Sequence, residues 1–319
     1  MTQESGFRIR TFREGDYEDI VILHNRIYPD IKQSVESLRY NDEKKSDKCG
    51  HHRFIGELNG KVIGHGLYTQ FERDYRPGKY NILIMIDPEY RANGYGKMFY
   101  DHVIEELKKH DPTELVCNVR EDKKKAIQFL EKRGYIRFLK EWLSVLDVDG
   151  FDMEEYRGLE EKLAEEGISL TSLANIEHCE ENKNKLYEIH EEIMEDVPMQ
   201  DEYTGTDYYR YIDYLFDHPY SFLDGFILAM KKDEFIGMSS NFHIKNDNYI
   251  FTGLTGVKKE HRGKGIATAM KVKLIKKAKE KGIPKIKTSN EKKNEGIIHI
   301  NNNLGFENKA AWISFKKEL

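Results

Sequence analysis

Asp87-Pro-Glu-Tyr-Arg-Ala-Asn-Gly-Tyr-Gly-Lys-Met98 and Lys258-Lys-Glu-His-Arg-Gly-Lys-Gly-Ile-Ala-Thr-Ala269 are two versions of one stretch, and they decide the fold. Arg91 aligns with Arg262, Gly94 with Gly265 and Gly96 with Ala267, at an offset of 262 − 91 = 171. Each follows an apolar run and precedes a segment with apolar residues at helical spacing. The pattern therefore reads as strand, glycine-containing turn, helix. Such a corner suits an anion. The first amides of a helix lack intrahelical partners, the helix dipole adds partial positive charge there, and glycine lets the main chain come close. Arg91, Gly94 and Gly96 fit a diphosphate in the first copy. Arg262, Gly263, Lys264, Gly265, Ile266 and Ala267 fit one in the second. Gly263-Lys264-Gly265 lacks the Gly-Lys-Ser/Thr ending of a Walker loop, and neither stretch has the three-glycine register of a dinucleotide fingerprint.

Working outward, the same offset pairs Gly134-Tyr135 with Gly305-Phe306. Upstream, Phe54–Gly64 and Phe226–Gly237 each read as strand, tight polar turn, strand. A repeat this long means two whole domains rather than a solenoid. The expected limits are residues 1–150 and 168–319, joined by a linker helix over 151–167. Asp152 would cap that helix, Met153, Tyr156, Leu159 and Leu163 would form its apolar face, and Gly167 would stop it. Within each half, strands alternate with helices, which predicts an α/β (α+β) fold. Helices are expected near Asp16–Tyr28, Ser34–Lys45, from Gly94 to about Lys109, and to about Lys281. Asn81–Ile86, Trp142–Val148, Ile168–Leu173 and Tyr249–Val257 are expected as strands.

Composition narrows the function. The chain has 319 residues, 39% of them apolar and 34% charged, a soluble globular profile with room for two cores. No apolar run approaches membrane-spanning length, and the first ten residues lack a signal-peptide core. The three cysteines are scattered and odd in number, which points to a reducing cytoplasm and to no metal framework. No His-x-x-x-His pair suggests a metal site. A net charge of −5 argues against generic nucleic-acid binding and suits an amine substrate. The lysines 271–281 read as a solvated helix face.

The two loops in register, each followed by a strand, a helix and a Gly-aromatic pair, resemble the GNAT superfamily of acyl-CoA-dependent N-acyltransferases. The whole chain resembles the tandem arrangement of mycothiol-synthase-type proteins. The resemblance implies two tandem domains, each with a mixed, splayed central sheet flanked by helices. It implies acetyl-CoA as acyl donor, with the diphosphate on the loops and the pantetheine arm along the preceding strands, at Ile86 in the first half and Val257 and Lys259 in the second. Asn290 and Asn294 would touch the coenzyme in the second half, where the first half has Asn118 and Lys123. The implied chemistry is direct attack by a primary amine on the thioester, giving an amide and free CoA.

Two features depart from the family pattern. The usual tyrosine before the Gly-aromatic pair is Leu130 in one half and Asn301 in the other, and neither Asn81–Ile86 nor Tyr249–Val257 contains a carboxylate. Candidate catalytic groups are Glu195 and Asp196 in an acidic segment, with Thr255 and Asn301. The C-terminal half, with its asparagines and acidic, aromatic segment, is expected to be the catalytic one. The partners expected are a CoA thioester and a small amine, with no nucleic acid and no membrane. The alternative is a degenerate pair of domains that binds or senses CoA without turnover.

Overall fold

The chain begins with strand β1 (Phe7–Thr11), helices α1 (Tyr17–Ile27) and α2 (Val35–Glu43), and a β-meander of β2 (His51–Leu58), β3 (Lys61–Thr69) and β4 (Lys79–Ile86). There follow α3 (Tyr95–Leu107), β5 (Glu114–Arg120), α4 (Lys124–Glu131) and the long β6 (Ile136–Asp147). The second half runs α5 (Leu159–Glu165), β7 (Ile168–Ser172), α6 (Glu180–Met194), α7 (Tyr208–Asp217), β8 (Ile227–Lys231), β9 (Glu234–Ile244) and β10 (Tyr249–Val257). It ends with α8 (Ile266–Glu280), β11 (Lys285–Glu291), α9 (Glu295–Asn303), the short β12 (Glu307–Asn308) and β13 (Trp312–Glu318). These are the elements of a computed structural model, which describes residues 6–198 and 202–319.

Two compact units result. One comprises the chain up to Leu139 together with Ile313–Leu319, and the other comprises Lys140–Trp312. Their limits differ from the linear division at 150 and 167, because a late strand belongs with the early residues. The N-terminal unit's strands run in the order β1-β2-β3-β4-β5-β13, and those of the C-terminal unit in the order β7-β8-β9-β10-β11-β6. β6 closes the C-terminal unit by antiparallel pairing of Glu141–Asp147 with Lys285–Glu291. The expected linker helix is shorter than its apolar spacing suggested. Asp152 accepts from the amide of Glu154 in a single 3₁₀ turn, Gly158 breaks the path at φ 81°, and only Leu159–Glu165 is α-helical. The apolar face is nonetheless used, since Met153, Tyr156, Leu159 and Leu163 all pack into the C-terminal core.

Each sheet is covered on both faces, as the near-continuous apolar strands require. Neighbouring residues on β3 show this. A Cβ at Gly66 would lie 2.6 Å from Phe99 of α3, whereas His65 faces the other way and meets Arg53, whose guanidinium pairs with Asp42 of α2. In the C-terminal unit, Ile227 and Ala229 of β8 share a cluster with α8, while Phe226 and Leu228 share one with α6 and α7. The tight turns follow the residues found there. Asn59 and Gly60 take φ values of 51° and 83° between β2 and β3, and Lys232 takes 56° between β8 and β9. Ser34 caps α2 by accepting from the amide of Ser37.

One topological feature positions the site. β4 and β5 are parallel but pair only over Lys79–Asn81 with Glu114–Val116, and β4 continues to Ile86 paired with β3 alone. β10 and β11 likewise pair only over Tyr249–Thr252 with Lys285–Thr288, after which β10 is irregular between Thr252 and Thr255. Both sheets therefore split beside the strand that feeds the glycine loop.

Candidate coenzyme clefts

The loops are built alike. Gly94 and Gly265 cap α3 and α8 in the left-handed region, at φ 86° and 78°. Two residues earlier, Gly263 has φ 79° and Ala92 has φ 67°, so the N-terminal loop holds alanine where only glycine is unstrained. Arg91 Nε donates to the carbonyl of Ile86 at 2.9 Å, and Arg262 Nε donates to that of Val257 at 2.8 Å. Each arginine thus ties its loop to the end of its strand. Among the described residues the amides of residues 92–96 and 263–267 bond to no protein acceptor. Residues 91–94 and 262–265 are exposed. Gly96 and Ala267 are interchangeable, because a Cβ at Gly96 would meet only Ile86 at 3.8 Å.

The strand side follows from alternation. The amide of Asp87 donates to Ile63 of β3, so the main-chain groups of Ile86 and Ile84 point to the other side, into the gap left by β5. The amide of Lys258 donates to Ile236 of β9, which turns those of Val257 into the gap beside β11. With their carbonyls held by the arginines, Ile86 and Val257 offer free amides there.

In the N-terminal unit the gap is a cleft of about 610 Å³. It is walled by Ile82–Ile86 on one side and by Cys117, Asn118 and the start of α4 on the other. Arg91, Ala92 and Gly96 stand at its phosphate end, with Lys123, Lys124 and Lys125 along its rim. Tyr28 and Tyr100 reach its interior. Burial raises the pKa of both phenols, so both stay protonated at neutral pH. Tyr100 shares a hydrogen bond with Tyr135 at 3.2 Å, and burial pushes the Cys117 thiol up to about 12. Among the described residues no carboxylate pairs with Arg91, Lys124 or Lys125, while Lys123 lies 3.4 Å from Asp122. Asn118 is turned to Ser314, which donates to it at 2.7 Å.

The C-terminal loop is electrostatically different. Asp196 meets Arg262 at 2.6 Å and Lys259 at 3.0 Å, and these cations hold its pKa below the usual carboxylate range. Lys264 pairs with Glu166 at 2.9 Å, and Lys258 with Glu234 at 2.7 Å. The tip of α6 presses on β10, so that a Cβ at Gly256 would lie 2.2 Å from Ile193. Asn301 is buried and donates to Asn290 at 2.8 Å, tying α9 to β11. Asn294 stands at the start of α9 without a side-chain cap bond, Thr255 meets Ser239 at 3.0 Å, and Glu195 is exposed at the end of α6. Glu195, Asp196, Thr255 and Asn301, the candidate catalytic groups, thus each have a separate local setting. Tyr28, Tyr100, Lys124 and Lys125 went unnoticed in the sequence. Tyr100 could have been found, since it lies two turns into the helix that follows the loop, on the face of the buried Phe99 and Val103.

The lysine-rich helix α8 is not wholly a solvated face. Lys271 is 2% exposed and lies 5.4 Å from the ring centroid of Phe306. Among the described residues, no group of His, Cys, Asp and Glu side chains is arranged to hold a metal ion, and no helix is long and apolar enough to cross a membrane.

The acetyltransferase (GNAT) family matches the sequence twice, over residues 17–135 and 183–306. No curated protein matches it closely. Solved structures do match in fold. A GCN5-related N-acetyltransferase from Sphaerobacter thermophilus is 17% identical with a TM-score of 0.72, and the match covers 99% of this chain and 97% of that one. A tandem GNAT protein from the clavulanic acid biosynthesis pathway is 17% identical, with a TM-score of 0.75 and coverage of 98% of both chains. A glucosamine N-acetyltransferase region of a fungal multi-domain GH3 β-N-acetylglucosaminidase is 14% identical, with a TM-score of 0.70, and the match covers 99% of this chain and 38% of that chain. Two glycine loops, two split sheets and two family matches in one polypeptide lead to the same statement: the chain belongs to the GNAT family of acetyltransferases, as a tandem of two such domains.

Proposed function

We propose that the protein moves an acyl group, acetyl in the simplest case, from a CoA thioester to a primary amine on a small molecule, and that the coenzyme is held in the N-terminal unit. The observation that carries this is the cleft beside β4. Free amides of residues 92–96 open onto it, and among the described residues no carboxylate competes for Arg91 or pairs with Lys124 and Lys125, which also line it. The diphosphate would sit on the loop, and the Ile86 amide would hold the pantetheine arm as a neighbouring strand would. The sequence favoured the C-terminal half for turnover, whereas the charge pairing around Arg262 supports the N-terminal unit for coenzyme binding.

In the reaction the amine nitrogen bonds to the acyl carbon and the carbon–sulfur bond breaks. The amine gives up a proton and the departing thiolate takes one. Tyr28 and Tyr100 are the protonated phenols in the cleft and are the groups we assign to that second transfer. β4 presents no carboxylate, so removal of the amine proton falls to water or to the acceptor's own equilibrium.

Thiol release from acetyl-CoA with a panel of small amines is the test. Release that needs an amine and is lost in Arg91→Ala supports the reading. Tight CoA binding without release for any amine would favour a binding or sensing module, which the missing carboxylate and Leu130 also suit. No CoA binding at all would overturn both.

A further inference from the structure

The two repeats act as controls for each other, and one acidic residue separates them. α1 and α6 follow the first strand of each unit, and Asp30 and Asp196 lie three and two residues beyond their ends. The two carboxylates turn in different directions. Asp30 is taken by Arg120 at the end of β5, whose Nη1 donates to both its oxygens at 2.7 and 2.8 Å, and Arg91 is left facing the cleft. At the end of β11 the residue matching Arg120 is Glu291 (120 + 171 = 291), which accepts from the amide of Lys293. The strand end thus offers Asp196 no arginine, and the cations that pair with it are those of the glycine loop. Asp196 has accordingly settled on Arg262 and Lys259.

We infer that Asp196 stands in for the diphosphate at the C-terminal loop and so determines which repeat takes the coenzyme. This rests on the coenzyme-binding reading above and extends it to the second repeat. A second observation, on the helix that the same loop caps, is a buried cation without an anion. Lys271 matches Tyr100 (271 − 171 = 100), which lines the N-terminal cleft. Its ammonium is buried and has no acidic partner among the described residues, only the ring of Phe306. Desolvation lowers its pKa to about 8, which leaves it mostly charged at neutral pH. With Asp196 in place the loop's cations are neutralised and an incoming diphosphate meets a like charge. Without it, Arg262, Lys259 and the free amides of residues 263–267 present what the N-terminal loop presents. The ion pairs are solvent-exposed and individually weak, so the block acts mainly through repulsion of the ligand.

Calorimetric titration of the full chain with CoA tests this. The wild type is expected to bind one equivalent, lost in Arg91→Ala. Asp196→Asn is expected to bind two, the second lost on adding Arg262→Ala, with affinity at the C-terminal loop raised tenfold or more. Asp196→Ser should act as Asp196→Asn does, and circular dichroism confirms that each variant is folded. Two equivalents in the wild type, or one in both Asp196 variants, overturns the inference. If the wild type binds none, the N-terminal reading fails separately. A site gained in Asp196→Asn would then still uphold the role of Asp196, and none gained would refute it.

Discussion

Replacing Phe315 by alanine should unfold the beginning of the chain before its middle. Phe315 lies on β13, four residues from the C-terminus, and is fully buried in the cluster that holds Tyr80, Leu107, Leu115 and Leu130. Truncating a buried phenylalanine costs roughly 3–5 kcal/mol in lost burial and residual cavity. The unit that bears the loss has 139 + 7 = 146 residues. At about 2.1 cal/mol/K per residue its unfolding entropy is about 0.3 kcal/mol/K, so its midpoint should fall by roughly 10–16 °C. Hydrogen–deuterium exchange read by mass spectrometry locates the damage. Protection should be lost in 79–86 and 114–120 and kept in 249–257 and 285–291. Loss confined to the C-terminal strands, or a destabilisation below about 1 kcal/mol, would refute the placement of β13.

Other outcomes follow from particular residues. Ala92→Gly relieves a left-handed alanine and should stabilise the N-terminal unit by about 0.5–1 kcal/mol in urea melts, after the extra chain entropy of glycine is subtracted. A loss of stability would mean that the loop is unstrained. His218 is buried and His190 half-buried, and desolvation pushes both pKa values down to about 4, so the folded state resists protonation. Their contribution is complete above pH 6.5 and is lost as pH falls toward 4, by up to ~3 kcal/mol each. Urea midpoints at pH 7, 5.5 and 4.5 should show the decline, and His190→Gln should flatten it. Tyr100→Phe should lower kcat for amine acylation roughly tenfold or more while leaving CoA affinity within twofold. An unchanged kcat would remove that phenol from the reaction.

Much of this architecture could be read from the residues. Periodicity and turn chemistry placed β10 at Tyr249–Val257 and α1 and α8 within a residue or two of their limits, and the glycine loops marked where the main chain is exposed. These features depend on contacts close along the sequence, which local pattern reports. What escaped notice depends on partners far away. Trp142–Val148 and Trp312–Glu318 are both short apolar strands, and nothing within either says which sheet it closes. The different partners of Asp30 and Asp196, Arg120 and Arg262, accompany a charge reversal from Arg120 to Glu291 that is visible only once the strand ends are matched. The cleft-lining phenols were hidden for a simpler reason, since a buried tyrosine on a helix looks like core until the sheet beside it is seen to split.

The exchange of closing strands also sets an order of events. A ribosome makes Ile313–Leu319 after every other strand of both sheets, so the sheet begun by the first residues has an open edge at β5 until then. An unpaired parallel-sheet edge is a place where wrong partners bind. The strands of the C-terminal unit are complete once Asn308 has emerged, and the N-terminal unit, with its cleft, is finished only after Ile313–Leu319 has followed. A change that displaces residues 313–319 would therefore disturb the first half of the protein rather than the half that precedes them in sequence.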